Sequence, residues 1–311
     1  MKVAFIGAVE GSALALESLV KAGMAPGLVV TLTPEVASRH SDFFDLSSLA
    51  RQGGSELARI TNINAPATID ALRQFGADLV LVIGWSQICK EEFRSIARIG
   101  NIGFHPAALP RMRGRAVIPW TILLGERTTA ASLFWLDEGT DSGPILLQKL
   151  IDVDEEETAR SLYVKQTNAL SHMLPEAVAM IESGNAPRIL QNHDLASYCA
   201  RRTAEDGLVD WRDSADAILR LVRAVGDPYP GAYSTSDGVK LTIDRATAFP
   251  DSHRYIGLAG QVQCHTDSGF VVRCGDGNCI HVREWRLGQG TSKPRIHSKL
   301  GQDPSFNRSM Q

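Results

Sequence analysis

The chain has 311 residues, 44% hydrophobic and 22% charged, which suffices for one large or two ordinary domains with buried cores. A formal charge of -3 excludes the strong basic excess that gives a protein non-specific affinity for nucleic acid, so DNA is not an expected partner. Five cysteines at irregular spacings (Cys89, Cys199, Cys264, Cys274, Cys279) fit reduced thiols rather than a disulfide framework. Cys264, Cys274 and Cys279 are close in sequence, but no C-x-x-C or histidine pair accompanies them; they read as small buried hydrophobes and no metal is expected.

At the N-terminus, "MKVAFIGAVEGSALALESLVKAG" has an apolar run too short for a secretory signal, followed by an amphipathic stretch, which predicts a first strand and helix. No apolar run approaches the length of a membrane span, and a cytoplasmic, membrane-free location is expected. Short apolar runs then alternate with amphipathic segments, the pattern of a mostly parallel, Rossmann-like α/β sheet with helices on both faces. Strands are predicted at 2–6, 27–32, 78–83, 101–104 and 131–136. The turn "GAVEGS" lacks the G-x-G-x-x-G spacing of a dinucleotide site, so Gly7 and Gly11 serve the strand-to-helix turn. One long helix is predicted from Glu157 to about Ser183, irregular at Pro175, closing a first domain over 1–184.

Residues 185–206 lack periodicity and read as a linker. A short helix from about Ser214 to Val225 follows. Runs at 231–235, 239–247, 259–265, 269–274 and 279–285, separated by Gly238, Asp267-Ser268-Gly269 and Gly275-Asp276-Gly277, predict hairpins of a small OB-like β-barrel over 207–287. The polar stretch 288–311, with Pro294 and Pro304, is expected to be a mobile tail.

Two loops carry the candidate chemistry. In "NIGFHPAALPRMRGRAVIPW" (101–120), His105 follows a predicted strand, at the sheet end where open α/β folds bind ligands. Pro106 and Pro110 stiffen the segment, and Arg113 and Arg115 flank a glycine ahead of a helix, suited to a phosphate or carboxylate or else simply solvated. In "LDEGTDSGPILLQ" (136–148), Asp141 sits between Gly139 and Gly143 on a tight loop. Asx turns would explain this; alternatively, a carboxylate near an imidazole orients the ring and relays protons.

Together, H-P-x-x-L-P-x-x-R-G-R, D-x-G-P-I-L and "VDWRDSADAILRLVRAVGDPYPGAYS" (209–234) resemble the folate-dependent formyltransferase family, from the first strand to about residue 286. The resemblance implies that an amine attacks the formyl carbon of the co-substrate 10-formyltetrahydrofolate through a tetrahedral intermediate. It implies that His105 is acid, base or oxyanion partner and that Asp141 orients it and shuttles protons. It also implies that the pterin lies against the backbone of "GWSQI" and of 136–141, with Trp85, Ile88, Leu136 and Gly139 among its neighbours, and that the amine approaches past Arg113 and Arg115. The acceptor expected is a small, phosphorylated amine such as an amino sugar nucleotide, or a hydroxylated amino acid; methionyl-tRNA is disfavoured by the acidic charge but not dismissed.

The sequence departs from that family at Gly103, where the family carries an asparagine two residues before the histidine. Loss of one preorganised oxyanion donor costs about a hundred- to a thousandfold in rate. Three explanations are open: Asn101 supplies the amide along an altered loop path; the imidazolium and the Gly103 backbone amide supply the donors; or transfer has been lost, leaving a folate-binding protein or a deformylating hydrolase.

Overall fold

The computed structural model describes residues 1–39 and 42–302. In chain order its elements are β1 (Val3–Ile6), α1 (Glu10–Lys21), β2 (Leu28–Leu32), α2 (Ser47–Gln52), β3 (Glu56–Ile60), α3 (Pro66–Phe75), β4 (Leu79–Val82), α4 (Glu91–Arg94), β5 (Gly100–His105), β6 (Arg113–Gly114), α5 (Val117–Leu123), β7 (Thr128–Trp135), β8 (Ile145–Asp152), α6 (Ala159–Glu182), β9 (Tyr198–Cys199), α7 (Ala215–Val225), β10 (Ala232–Ser236), β11 (Val239–Phe249), β12 (Val262–Thr266), β13 (Gly269–Arg273) and β14 (Cys279–Leu287).

Two compact units share the chain. The first comprises residues 1–118, 127–153 and 162–201. Its seven-stranded sheet has the order β3-β2-β1-β4-β5-β7-β8, with the first five strands parallel and β7 and β8 antiparallel. Alternate residues feed opposite faces, as the two-residue strand period requires. Val3, Phe5, Leu79, Leu81 and Ile102 pack with Leu16 and Leu19 of α1 and Leu170, Leu174 and Val178 of α6. Ala4, Ile6, Val80 and Val82 pack with Ile69 and Leu72 of α3 and Phe93 of α4. The first turn is locked by Ser12, whose hydroxyl accepts from the Ala8 and Val9 amides and donates to the Ile83 carbonyl. A Cβ on Gly7 would lie 2.5 Å from that side chain, so this glycine makes a turn, as its sequence context implies.

The structure adds strands that the apolar pattern does not reveal. β3 and β8 are the edges of the large sheet, with many exposed residues, so neither carries a continuous hydrophobic signal. The expected long helix is α6, continuous through Pro175. The expected linker is corrected in part. Residues 185–201 belong to the first unit, where Ile189 bridges Ile145 and β9 pairs with β6, and Gln191 is buried; polar side-chain hydrogen bonds rather than apolar periodicity hold the segment.

The second unit comprises 119–126, 154–161 and the chain from Arg202 onward. Its five-stranded antiparallel sheet has the order β10-β11-β14-β13-β12, a small barrel-like arrangement whose strands coincide closely with the sequence expectation. α7 is capped by the Ser214 hydroxyl, which accepts from the Ala217 amide at 3.2 Å.

The expected mobile tail is a correction over 288–302. The Val262 amide donates to the Ser298 carbonyl and the His297 amide to the Val262 carbonyl, while the Gly301 amide donates to the Thr235 carbonyl. The segment thus hydrogen-bonds both edge strands of the small sheet, β12 and β10, and buries Leu300. Paired backbone, not hydrophobicity, holds it, which is why composition misleads here. Residues 303–311 lie outside the described residues.

Candidate active site

His105 ends β5 at the carboxyl end of the parallel strands and is buried, at 4% exposure. Its Nε2 lies 2.7 Å from the Met112 carbonyl. A carbonyl only accepts, so Nε2 carries a proton and donates. Nδ1 is then the nitrogen left to take up or release a proton, and it faces Asp141 Oδ2 at 3.4 Å.

Asp141 stands on left-handed backbone, φ +49°. Its Oδ2 also accepts from the Gly114 amide at 2.8 Å. Gly114, at φ +103°, has no room for a side chain: a Cβ would stand 2.5 Å from the Cys199 carbonyl oxygen. Gly143 is equally constrained, because a Cβ there would overlap the Trp135 carbonyl oxygen. Gly139 closes an Asx turn, its amide donating to Asp137 Oδ1, which also accepts from the Ser142 hydroxyl. Met112 and Ala116, at φ +58° and +53°, share the left-handed region, so unfavourable backbone concentrates in the two loops that meet at His105.

Arg113 departs from its expected role at a substrate phosphate. It is 1% exposed, and all its partners are neutral: Nε and Nη2 donate to Gln191 Oε1 at 3.2 and 2.6 Å, Nη1 to the Tyr198 hydroxyl at 3.2 Å, and Nη2 to His193 Nδ1 at 3.2 Å. Four of its five N–H donors are committed within the protein. Arg115 is exposed and can meet an anion arriving from solvent.

Asn101 is not brought to the histidine. It lies four residues earlier on the same strand, about 13 Å away at the usual strand rise, and its Nδ2 donates to the Arg94 carbonyl at 2.8 Å. Nor is the Gly103 backbone available. The Leu136 amide donates to the Asn101 carbonyl, which fixes the β5–β7 ladder; Gly103 opposite Phe134 is the next hydrogen-bonded pair, so its amide belongs to the sheet. A Cβ at Gly103 would lie 2.7 Å from Leu136 Cδ2 and 2.9 Å from the Phe134 ring. Hydrocarbon fills the place from which an asparagine side chain would project.

Of the residues expected near a pterin, Trp85 and Leu136 pack against the same apolar cluster. The Trp85 indole N–H is buried without an acceptor among the described residues. Ile88 turns outward, 70% exposed, its carbonyl held by Asn64 Nδ2. Sequence reasoning missed Gln191, His193 and Tyr198, all in the supposed linker; the clue was a run of polar residues able to hydrogen-bond the arginine loop.

Residues 1–178 match the formyl transferase family and residues 201–294 match the formyl transferase C-terminal domain. The chain belongs to the formyl transferase family. The methionyl-tRNA formyltransferase of Symbiobacterium thermophilum is 30% identical over 286 residues, covering 91% of this chain and 87% of that protein. HypX from Aquifex aeolicus, solved with tetrahydrofolic acid, is similar at TM-score 0.66 and 19% identity over 92% of this chain; the match spans 44% of HypX. An N-formyltransferase from Helicobacter canadensis, solved with folinic acid and dTDP-3-aminofucose, is similar at TM-score 0.64 and 18% identity, over 91% of this chain and 99% of that one. At such identities the two structures attest the formyl transferase fold, and no helix among the described residues is long and apolar enough to cross a membrane.

Proposed function

We propose that the protein moves the formyl group of 10-formyltetrahydrofolate to the amine of a small phosphorylated acceptor, with an amino sugar nucleotide as the leading class. The observation that carries this reading is the His105–Asp141 pair at the carboxyl end of the sheet, with Nδ1 directed at a carboxylate. An attacking amine must lose a proton as its bond to the formyl carbon forms. In this reading Nδ1 takes it, Asp141 stabilises the ring that results, and the proton passes on to N10 of the departing tetrahydrofolate. The co-substrate supplies an activated formyl group when bound. Trp85, whose buried indole N–H has no acceptor among the described residues, and Leu136 fit a flat heterocycle that presents an acceptor atom and an apolar face.

A tRNA acceptor is the second reading, favoured by the name of the Symbiobacterium relative. Against it, four arginines of the second unit are answered by acids: Arg220 by Asp216, Arg245 by Glu284, Arg286 by Asp244 and Arg295 by Asp237. Such pairing reduces the positive field those arginines offer a phosphate backbone.

Tetrahydrofolate release, followed by absorbance with a panel of amino sugar nucleotides, hydroxylated amino acids and methionyl-tRNA, tests both. We expect acceptor-dependent release with an amino sugar nucleotide and a loss of about a hundredfold or more in His105→Ala and Asp141→Asn. Response to methionyl-tRNA alone would assign the second reading. Release without any acceptor would make the protein a hydrolase.

A further inference from the structure

Burying a guanidinium without a carboxylate is costly unless most of its donors are used. Arg113 is such a group: among the described residues no carboxylate pairs with it, and its strongest contact is the Gln191 side-chain oxygen, gripped by both Nε and Nη2. Gln191 is itself buried, at 6% exposure. Its amide nitrogen donates to two carbonyls of the loop 136–143, that of Asp141 at 2.9 Å and that of Gly143 at 2.7 Å. An amide whose oxygen accepts from a cation is polarised and donates more strongly through its nitrogen.

The chain around Arg113 therefore holds Asp141 at two points. Gly114, the next residue, donates its amide to the carboxylate. Through Gln191, Arg113 holds the main chain at Asp141, where the backbone is left-handed, and at Gly143, where a Cβ would overlap the Trp135 carbonyl oxygen. Without that grip, nothing in the loop's own Asx turn, which ends at Ser142 and Asp137, requires Asp141 to keep its positive φ.

We propose that Gln191 is a positioning residue: it transmits the buried charge of Arg113 to the main chain of Asp141 and so keeps the carboxylate in register with His105 Nδ1. The inference rests on the formyl-transfer reading for its catalytic consequence and on geometry alone for the grip.

The test uses the full chain with Gln191→Leu, which removes donor and acceptor together, and Gln191→Glu. The second variant keeps an oxygen for Arg113 but turns a carboxylate oxygen toward the two loop carbonyls, so it guards against a simple folding failure of the first. Both are expected to lower kcat by about tenfold to a hundredfold, the cost of misplacing a reacting group by about an ångström, while KM for 10-formyltetrahydrofolate stays within about threefold, since a positioning residue acts on the reacting geometry rather than on binding. Amide exchange at Gly114 should quicken by about tenfold or more as its carboxylate acceptor leaves. The proposal is overturned if kcat in Gln191→Glu stays within twofold of wild type, if KM rises in proportion to the fall in kcat, or if Gly114 exchange is unchanged. Should the wild-type protein transfer no formyl group to any acceptor, the function reading fails by itself, and the Gly114 exchange still decides whether Gln191 holds Asp141.

Discussion

Gly103 shows how a single position is decided by its neighbours. Its Cβ would meet Leu136 and Phe134 inside van der Waals distance, so Gly103→Asn overpacks a closed site. We expect it to cost about 1–3 kcal/mol, read as a lower urea midpoint, and to leave formyl transfer no faster than in the unmodified chain. A gain in kcat would show that Phe134 and Leu136 yield to admit an amide donor. The sequence made His105 and Asp141 legible because each sits where a strand ends and glycines or prolines shape the loop. Arg113 was misread because its type suggests an exposed anion binder, and burial at 1% is a tertiary fact that no local pattern announces.

Among elements, the clearest sequence signals came from β1, β2 and β4, whose residues are buried on both faces and, apart from Thr31 in β2, are all apolar. The edge strands β3 and β8 were invisible because water covers much of them. The segment 288–302 was misjudged for a related reason: its role is to donate and accept main-chain hydrogen bonds along β12 and β10. Leu300 is its apolar anchor, 2% exposed. Leu300→Ala is expected to destabilise the second unit by about 2–5 kcal/mol, visible as an earlier denaturation transition; a change below about 0.5 kcal/mol, the range of ordinary surface substitutions, would return the segment to the status of a loose tail.

For the molecule as a whole, alkaline stability follows from thiols buried in both units. Desolvation pushes Cys89 up to about 12 from 9.0; burial, aided by Asp276 and Cys279, does the same for Cys274. Both groups stay neutral when folded and ionise near 9 when unfolded. Their contribution is therefore complete below pH 9 and is lost progressively as the pH climbs toward 12. The urea midpoint should fall over that window, and less steeply in Cys89→Ala measured against its own value at neutral pH. An equal fall in both proteins would remove Cys89 from this account.

The filled space beside Gly103 also bears on how such a site changes over generations. An asparagine introduced alone meets Phe134 and Leu136 and costs stability before any gain in rate is available. The bulky neighbours, in turn, have no reason to shrink while glycine is present, since smaller side chains would leave a cavity. Each residue thus holds the others in place. A larger residue at Gly103 therefore calls for coordinated replacement of Phe134 and Leu136.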